Sequence, residues 1–273
     1  MVGAPARRRV PSLYAGVQLI LPGEVARSHR HVATALRLIL EGEGGFTAVE
    51  GERITMHPGD FIVTPSWTYH NHGNEGDGPV TWLDGLDVHI VNMLGAPFGE
   101  LHPQAQQPLL RPEGDAEARY GAGVIPVGHA NTGHGSPLFY YSFDRVRGAL
   151  DRMARFGPWD PALGLKVAYT DPTTGRSPVA TMSAFMQLLP KGFAGEPHRS
   201  TDATVYCVVE GSGRARVDGH DWRLGRHDIF VVPSWIWHEF SAEEDLLLFS
   251  FSDRALQQQL GFWREERRKA AAQ

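Results

Sequence analysis

The sequence predicts an all-β chain of two double-stranded β-helix (jelly-roll) barrels, with a helix-containing linker between them and a C-terminal helix at the end. Three observations predict it. The chain repeats its own motifs in order, its β-branched and aromatic runs are short and bounded by turn residues, and 31 Gly with 19 Pro in 273 residues leave room for few long helices.

The repeat comes first, because it divides the chain. Leu21-Pro22-Gly23-Glu24 and Ser28-His29-Arg30-His31 correspond to Leu189-Pro190-Lys191-Gly192 and Pro197-His198-Arg199-Ser200. Downstream, residues Leu40 to Gly44 correspond to Val209 to Gly213, and Val63 to His70 to Val232 to His238. Within each copy, runs such as Ala35 to Leu40, Phe46 to Val49, Phe61 to Val63, Thr204 to Val209 and Ile229 to Val232 read as strands. Glu50-Gly51 and Asp218-Gly219 stand where hairpins should reverse, since glycine takes positive φ at little cost. Two such copies form two barrels, which protect their strand edges by curling. The expected division is 1–95, 96–178 and 179–273.

The middle segment is rich in Pro and Gly, with one helix expected from Asp144 to Phe156, packing through Val146, Leu150 and Met153. A second helix is expected from Asp253 to Lys269, with Leu256, Leu260 and Trp263 packed inward and the following charges solvated.

Composition excludes several function classes. A formal charge of −5 gives no general attraction to nucleic acid, and the run Arg7-Arg8-Arg9 reads as a solvated tail. No stretch is apolar enough to span a membrane, and the N-terminus lacks the apolar core of a signal peptide, so the expected location is the cytoplasm. The single cysteine, Cys207, has no internal partner and reads as a small buried hydrophobe.

The chemistry lies in the histidines. Residues two apart on a strand share a face, so His29 and His31 present two imidazoles to one side. His70 follows the turn Pro58-Gly59-Asp60 and a strand that brings the chain back across the same interior. Three neutral imidazoles suit a first-row metal and leave further positions open for an anionic chelate and dioxygen. His72, two residues on, is either a rival ligand or a hydrogen-bonding and acid/base group. The other histidines of the first copy and the linker, His57, His89, His102, His129 and His134, lack partners at ligand spacing, as do His220 and His227. The second copy keeps His198 and His238 but has Ser200 where the first has His31, which predicts a barrel without metal.

These residues resemble the cupin superfamily, in Gly23, His29 and His31, then Pro58-Gly59-Asp60, His70 and Asn74, although the usual Glu is absent near Leu36. The bicupin resemblance narrows to the gentisate 1,2-dioxygenase family, which includes salicylate and 1-hydroxy-2-naphthoate dioxygenases. It is carried by Ser12 to Leu19, Ser28 to His31, Ala35 to Arg37, Pro65 to Asn74, Trp82 to Asp87, Pro197 to Asp202 and Phe249 to Arg254. It implies Fe(II) on His29, His31 and His70, and a substrate pocket shaped by Gln18, Arg37, His72 and Asp84, of which Arg37, His72 and Asp84 act in catalysis. It implies insertion of O2 into an aromatic hydroxy acid, gentisate giving maleylpyruvate in aromatic catabolism, by a homotetramer. By residue chemistry alone Arg37 reads equally as a carboxylate clamp or a strand-surface ion pair, and Asp84 as a proton acceptor or a turn cap. Family members carry a longer N-terminal region that adds a strand and an arginine to the site. The sequence starts almost at the first barrel, which predicts altered substrate, reduced activity or a misassigned start. A non-catalytic acid-binding bicupin and a Zn or Mn isomerase or hydrolase are the competing classes.

Overall fold

The computed structural model describes residues 10–129 and 135–268, so the Arg7-Arg8-Arg9 run and His134 lie outside the described residues. It divides into two units, one of 12–145 with 170–179, the other including 146–169 and the chain from 180 onward.

The first unit begins with β1 (Tyr14–Ile20), β2 (Val25–His31), β3 (Ala35–Glu41), β4 (Gly45–Val49) and β5 (Glu52–Thr55). It continues with β6 (Phe61–Thr64), β7 (His70–Asn74), β8 (Val80–Leu86), α1 (Val88–Met93), β9 (Gly99–Leu101), α2 (Asp115–Tyr120) and β10 (Tyr140–Tyr141). All its strands pair antiparallel in two five-stranded sheets, ordered β1-β8-β3-β6-β10 and β5-β4-β7-β2-β9. Trp82, Ile39 and Ile62 in its interior are almost wholly buried. The unit boundary falls inside α3 (Phe143–Ala154).

The second unit holds β11 (Leu165–Ala168), β12 (Ser183–Leu189), β13 (His198–Ser200), β14 (Thr204–Glu210), β15 (Gly213–Val217) and β16 (His220–Leu224). After them come β17 (Ile229–Val232), β18 (His238–Ala242), β19 (Leu246–Ser252), α4 (Arg254–Gln259) and β20 (Glu265–Arg267). Its sheets are ordered β11-β12-β19-β14-β17 and β16-β15-β18-β13-β20. Its core includes Leu189, Tyr206, Val208, Ile236, Phe240 and Leu248. Cys207 is buried and unpaired, as a small hydrophobe would be.

The hairpin turns form as the residues require. Glu50 and Gly51 have φ of 47° and 78°, and Asp218 and Gly219 have 53° and 77°, the paired positive values of a type I′ reversal. Helical expectations need correction. The C-terminal helix ends at Gln259, because Gly261 turns the chain at φ 72° and Glu265–Arg267 then pairs with β13 as a strand. Leu260 is exposed, and the Trp263 indole N–H donates to Asp202 at 2.9 Å. Residues 96–178 contain two helices instead of one, and they contribute β9 and β10 to the first unit's sheets and β11 to the second's. In α3, Leu150 is buried, whereas Met153 stays 42% exposed. No helix among the described residues is long and apolar enough to cross a membrane.

Candidate metal centre

In the first barrel, β2 supplies His29 and His31, and His70 opens the adjacent strand β7, directly opposite His29 in the antiparallel register. One ring nitrogen from each of the three lies within 4.8 Å of the others. The ring centres of His29 and His31 stand 4.4 and 4.8 Å from that of His70.

The backbone decides which nitrogen each ring offers. Nδ1 of His29 lies 2.8 Å from the Arg27 carbonyl oxygen, Nδ1 of His31 2.6 Å from that of Ala33, and Nδ1 of His70 3.0 Å from that of Thr68. A carbonyl oxygen only accepts, so each Nδ1 carries a proton, which leaves Nε2 as the nitrogen a neutral ring can offer to a metal. Burial, with the nearby Arg37 cation as a further cause, holds His70 well below the ordinary histidine range, and burial also lowers His31. Three imidazoles that each bring a nitrogen to one place are a donor set that fits a first-row divalent ion.

Of the other expected residues, His72 lies in the same sheet as the three imidazoles, and Arg37, Asp84 and Gln18 come from the facing one. His72 is on the same side of β7 as His70, its ring centre 5.8 Å from that of His70 and 5.6 Å from that of Trp82. Its expected near-neutral titration does not survive folding. Burial, then the field of Arg37, drives it well below the ordinary value, so at neutral pH it is an uncharged imidazole.

Arg37 and Asp84 are register partners on β3 and β8, with Nε 3.1 Å from Oδ1. The pair is buried, which corrects the strand-surface reading of Arg37, and Asp84 lies within a strand, which removes the turn-cap reading. Arg37 Nη1 donates to Thr64 Oγ1 at 2.6 Å. Burial pushes the Asp84 carboxyl up, opposed by Arg37 and by the Trp82 indole. Arg37 Nε and Asp84 Oδ1 engage one another, whereas the buried His72 Nδ1 has no hydrogen-bond partner within the protein.

Gln18 is separate in character. It pairs with Trp82 across β1 and β8 and so shares that face, but it is exposed on the edge strand. Sequence reasoning missed Trp82 and Thr64. Trp82 had a signal, since it precedes Asp84 by two residues on one strand and therefore shares its side. Thr64 had none, because only the β3–β6 ladder brings it near Arg37.

In the second barrel His198 and His238 are likewise buried register partners, with ring centres 4.0 Å apart. Ser200 stands at the third position, and among the described residues only His29, His31 and His70 make a ligand-spaced group of three or more.

Comparison with known proteins agrees with this architecture. The cupin domain family matches residues 16–88 and 184–250. Gentisate 1,2 dioxygenase 1 of Aquipseudomonas alcaligenes is 48% identical over 260 residues, covering 95% of this chain and 75% of the relative. The 5-aminosalicylate 1,2-dioxygenase of a Comamonas species is 37% identical, covering 91% of this chain and 67% of the relative. The crystal structure of salicylate 1,2-dioxygenase from Pseudoaminobacter salicylatoxidans in its adduct with gentisate matches with a TM-score of 0.89 at 30% identity, covering 94% of this chain and 72% of that one.

Proposed function

The chain belongs to the gentisate 1,2-dioxygenase family of ring-cleaving bicupin oxidoreductases, and from that premise we propose that it is an Fe(II) enzyme that opens gentisate to maleylpyruvate in aromatic catabolism. The observation that carries this reading is the convergence of one nitrogen from each of three imidazoles within 4.8 Å, across the barrel from a buried Arg37–Asp84 pair.

His29, His31 and His70 would hold the ion on one side only. When bound, a ferrous ion would supply Lewis acidity toward a chelating carboxylate and phenolate, and the electronic route by which ring electrons reach O2. The protein's residues do the rest. Arg37 stays cationic and orients an acidic oxygen of the substrate, with Nη2 taking part in neither its Asp84 nor its Thr64 contact. Asp84 accepts from the hydroxyl para to the first one on the ring. His72, neutral, offers one nitrogen as a fixed hydrogen-bonding group beside the reacting oxygens. Gln18 lines the pocket at its exposed edge. The ring bond between the carboxyl-bearing and hydroxyl-bearing carbons would break and each of those carbons would take one atom of O2, so no external reductant is consumed.

The first barrel is the catalytic one in this reading, and the second, lacking a third imidazole, serves packing and assembly. A homotetramer in the cytoplasm is the expected setting, the assembly being measurable by light scattering. The deciding experiment is anaerobic loading with Fe(II), followed by oxygen-electrode assays with gentisate, salicylate, 5-aminosalicylate and 1-hydroxy-2-naphthoate. One O2 per gentisate with a ring-opened product absorbing in the near ultraviolet is expected. Absence of uptake with every acid would leave an acid-binding bicupin instead.

A further inference from the structure

We propose that Arg30 is a positioning residue for the three imidazoles, acting from the opposite side of the strands that carry them; the proposal rests on the metal-centre reading above. Arg30 lies between His29 and His31 on β2, so its side chain leaves the strand on the other face. There it is enclosed by two rings. Its guanidinium carbon is 4.7 Å from the centre of the Trp67 ring and 4.5 Å from that of Tyr69. Glu100, its register partner on β9, accepts from Arg30 Nε at 2.7 Å and from the Tyr69 hydroxyl at 2.8 Å.

The rings that hold Arg30 belong to the segment that delivers His70. Trp67 and Tyr69 precede it, and the Trp67 N–H donates to the His31 carbonyl at 2.9 Å. Trp67 has φ of 62°, a left-handed conformation that a bulky residue keeps only where its surroundings impose it. One cation therefore ties the strand bearing two imidazoles to the turn that aims the third. A planar guanidinium is suited to this, because it stacks on both rings while its edge meets the carboxylate.

The second barrel repeats the clamp without the triad. Arg199 lies 4.4 Å from the Trp235 ring centre and 4.5 Å from that of Trp237, and donates to Glu266, its partner on β20, at 3.0 and 2.6 Å. Trp235 has φ of 61° and its N–H donates to the Ser200 carbonyl at 2.7 Å. The same device thus exists in a barrel where Ser200 stands at the position of His31, and it serves as an internal control. What a clamp does for barrel stability is common to both copies; what it does for ligand aim can appear only in the first.

The test uses Co(II) as probe on the full chain, comparing wild type, Arg30→Met, Arg30→Lys and Arg199→Met. Affinity is read by competition with a chelator, coordination by the visible Co(II) absorption, and stability by thermal unfolding. Both Met variants should lower the unfolding temperature, but only Arg30→Met should weaken Co(II) by about 10- to 100-fold and change its spectrum. Arg30→Lys, which keeps the charge and loses the stacking, should fall between. If Arg30→Met does not fold, Arg30→Lys and Glu100→Gln are judged by the same spectrum and affinity. Unchanged affinity and spectrum in the Arg30 variants would overturn the proposal. A wild-type Co(II) spectrum insensitive to His31→Ala would overturn the metal-centre reading itself, and the clamp's role with it, before any clamp variant is compared.

Discussion

Arg37 and Asp84 face each other as register partners on neighbouring strands, Nε 3.1 Å from Oδ1, with side chains only 5% and 2% exposed. A charge pair that deep is held by mutual compensation. Removing either partner leaves the other charged and desolvated.

Asp84→Asn and Arg37→Met are therefore each expected to destabilise the fold by about 3–5 kcal/mol, measured by urea unfolding of the metal-free protein. The double variant should lose clearly less than the sum, because neither charge is then stranded. Additive losses would show that the two side chains do not depend on one another.

His31→Ala removes one of three donors while leaving the barrel interior largely intact, since His31 is only partly buried. Bound iron, measured by elemental analysis after Fe(II) loading, should fall to background together with oxygen uptake, while the unfolding temperature of the metal-free protein should shift little. Retained stoichiometric iron would remove His31 from the ligand set.

The second barrel makes a pH prediction that does not involve the metal. Burial, then the field of Lys166, pushes His198 from 6.5 down to about 4. Between those values the unfolded chain binds a proton that the folded chain refuses, so stability falls as pH drops from about 6.5 toward 4 and this contribution levels off below. From pH 7 to 5 His198 should contribute about 2 kcal/mol of the loss seen by urea unfolding, alongside His238 and the other buried histidines, and His198→Gln should make the dependence shallower by about that amount. An unchanged slope in the variant would assign the pH dependence to other groups.

The repeated turns at Gly42 and Gly211 also have a sharp requirement. Gly42 has φ of 102° and a Cβ there would lie 2.4 Å from the Pro79 carbonyl oxygen; Gly211 has φ of 78° and a Cβ would lie 2.0 Å from that of Asp245. Both obstacles are backbone and cannot swing aside. Ala at either position should destabilise its barrel by about 1–3 kcal/mol or more, seen as a lower urea midpoint. A neutral Gly211→Ala would show that the Asp245 turn relaxes easily.

Much of the fold was legible because its signals are local. The Glu50-Gly51 and Asp218-Gly219 reversals follow from what two residues can adopt, and the shared face of His29 and His31 follows from strand alternation. The short last helix was less legible, since the residues from Arg264 to Arg268 are as acceptable in a helix as in an edge strand, and pairing with β13 decides between them. The same holds for β9, whose exposed Gly99–Leu101 carries little strand signal of its own.

The sequence by itself determined the two-barrel repeat, the histidine trio and the loss of a third imidazole at Ser200, because motif order, strand period and residue type are properties of short stretches of chain. Tertiary structure alone decided that His72 is held neutral, that Arg37 is buried against Asp84 and Thr64, and that Arg30 is enclosed by Trp67, Tyr69 and Glu100. The first two depend on desolvation and the third on rings and a carboxylate around a cation, in each case with groups brought close from distant positions, and none of this exists until the sheets have paired and closed.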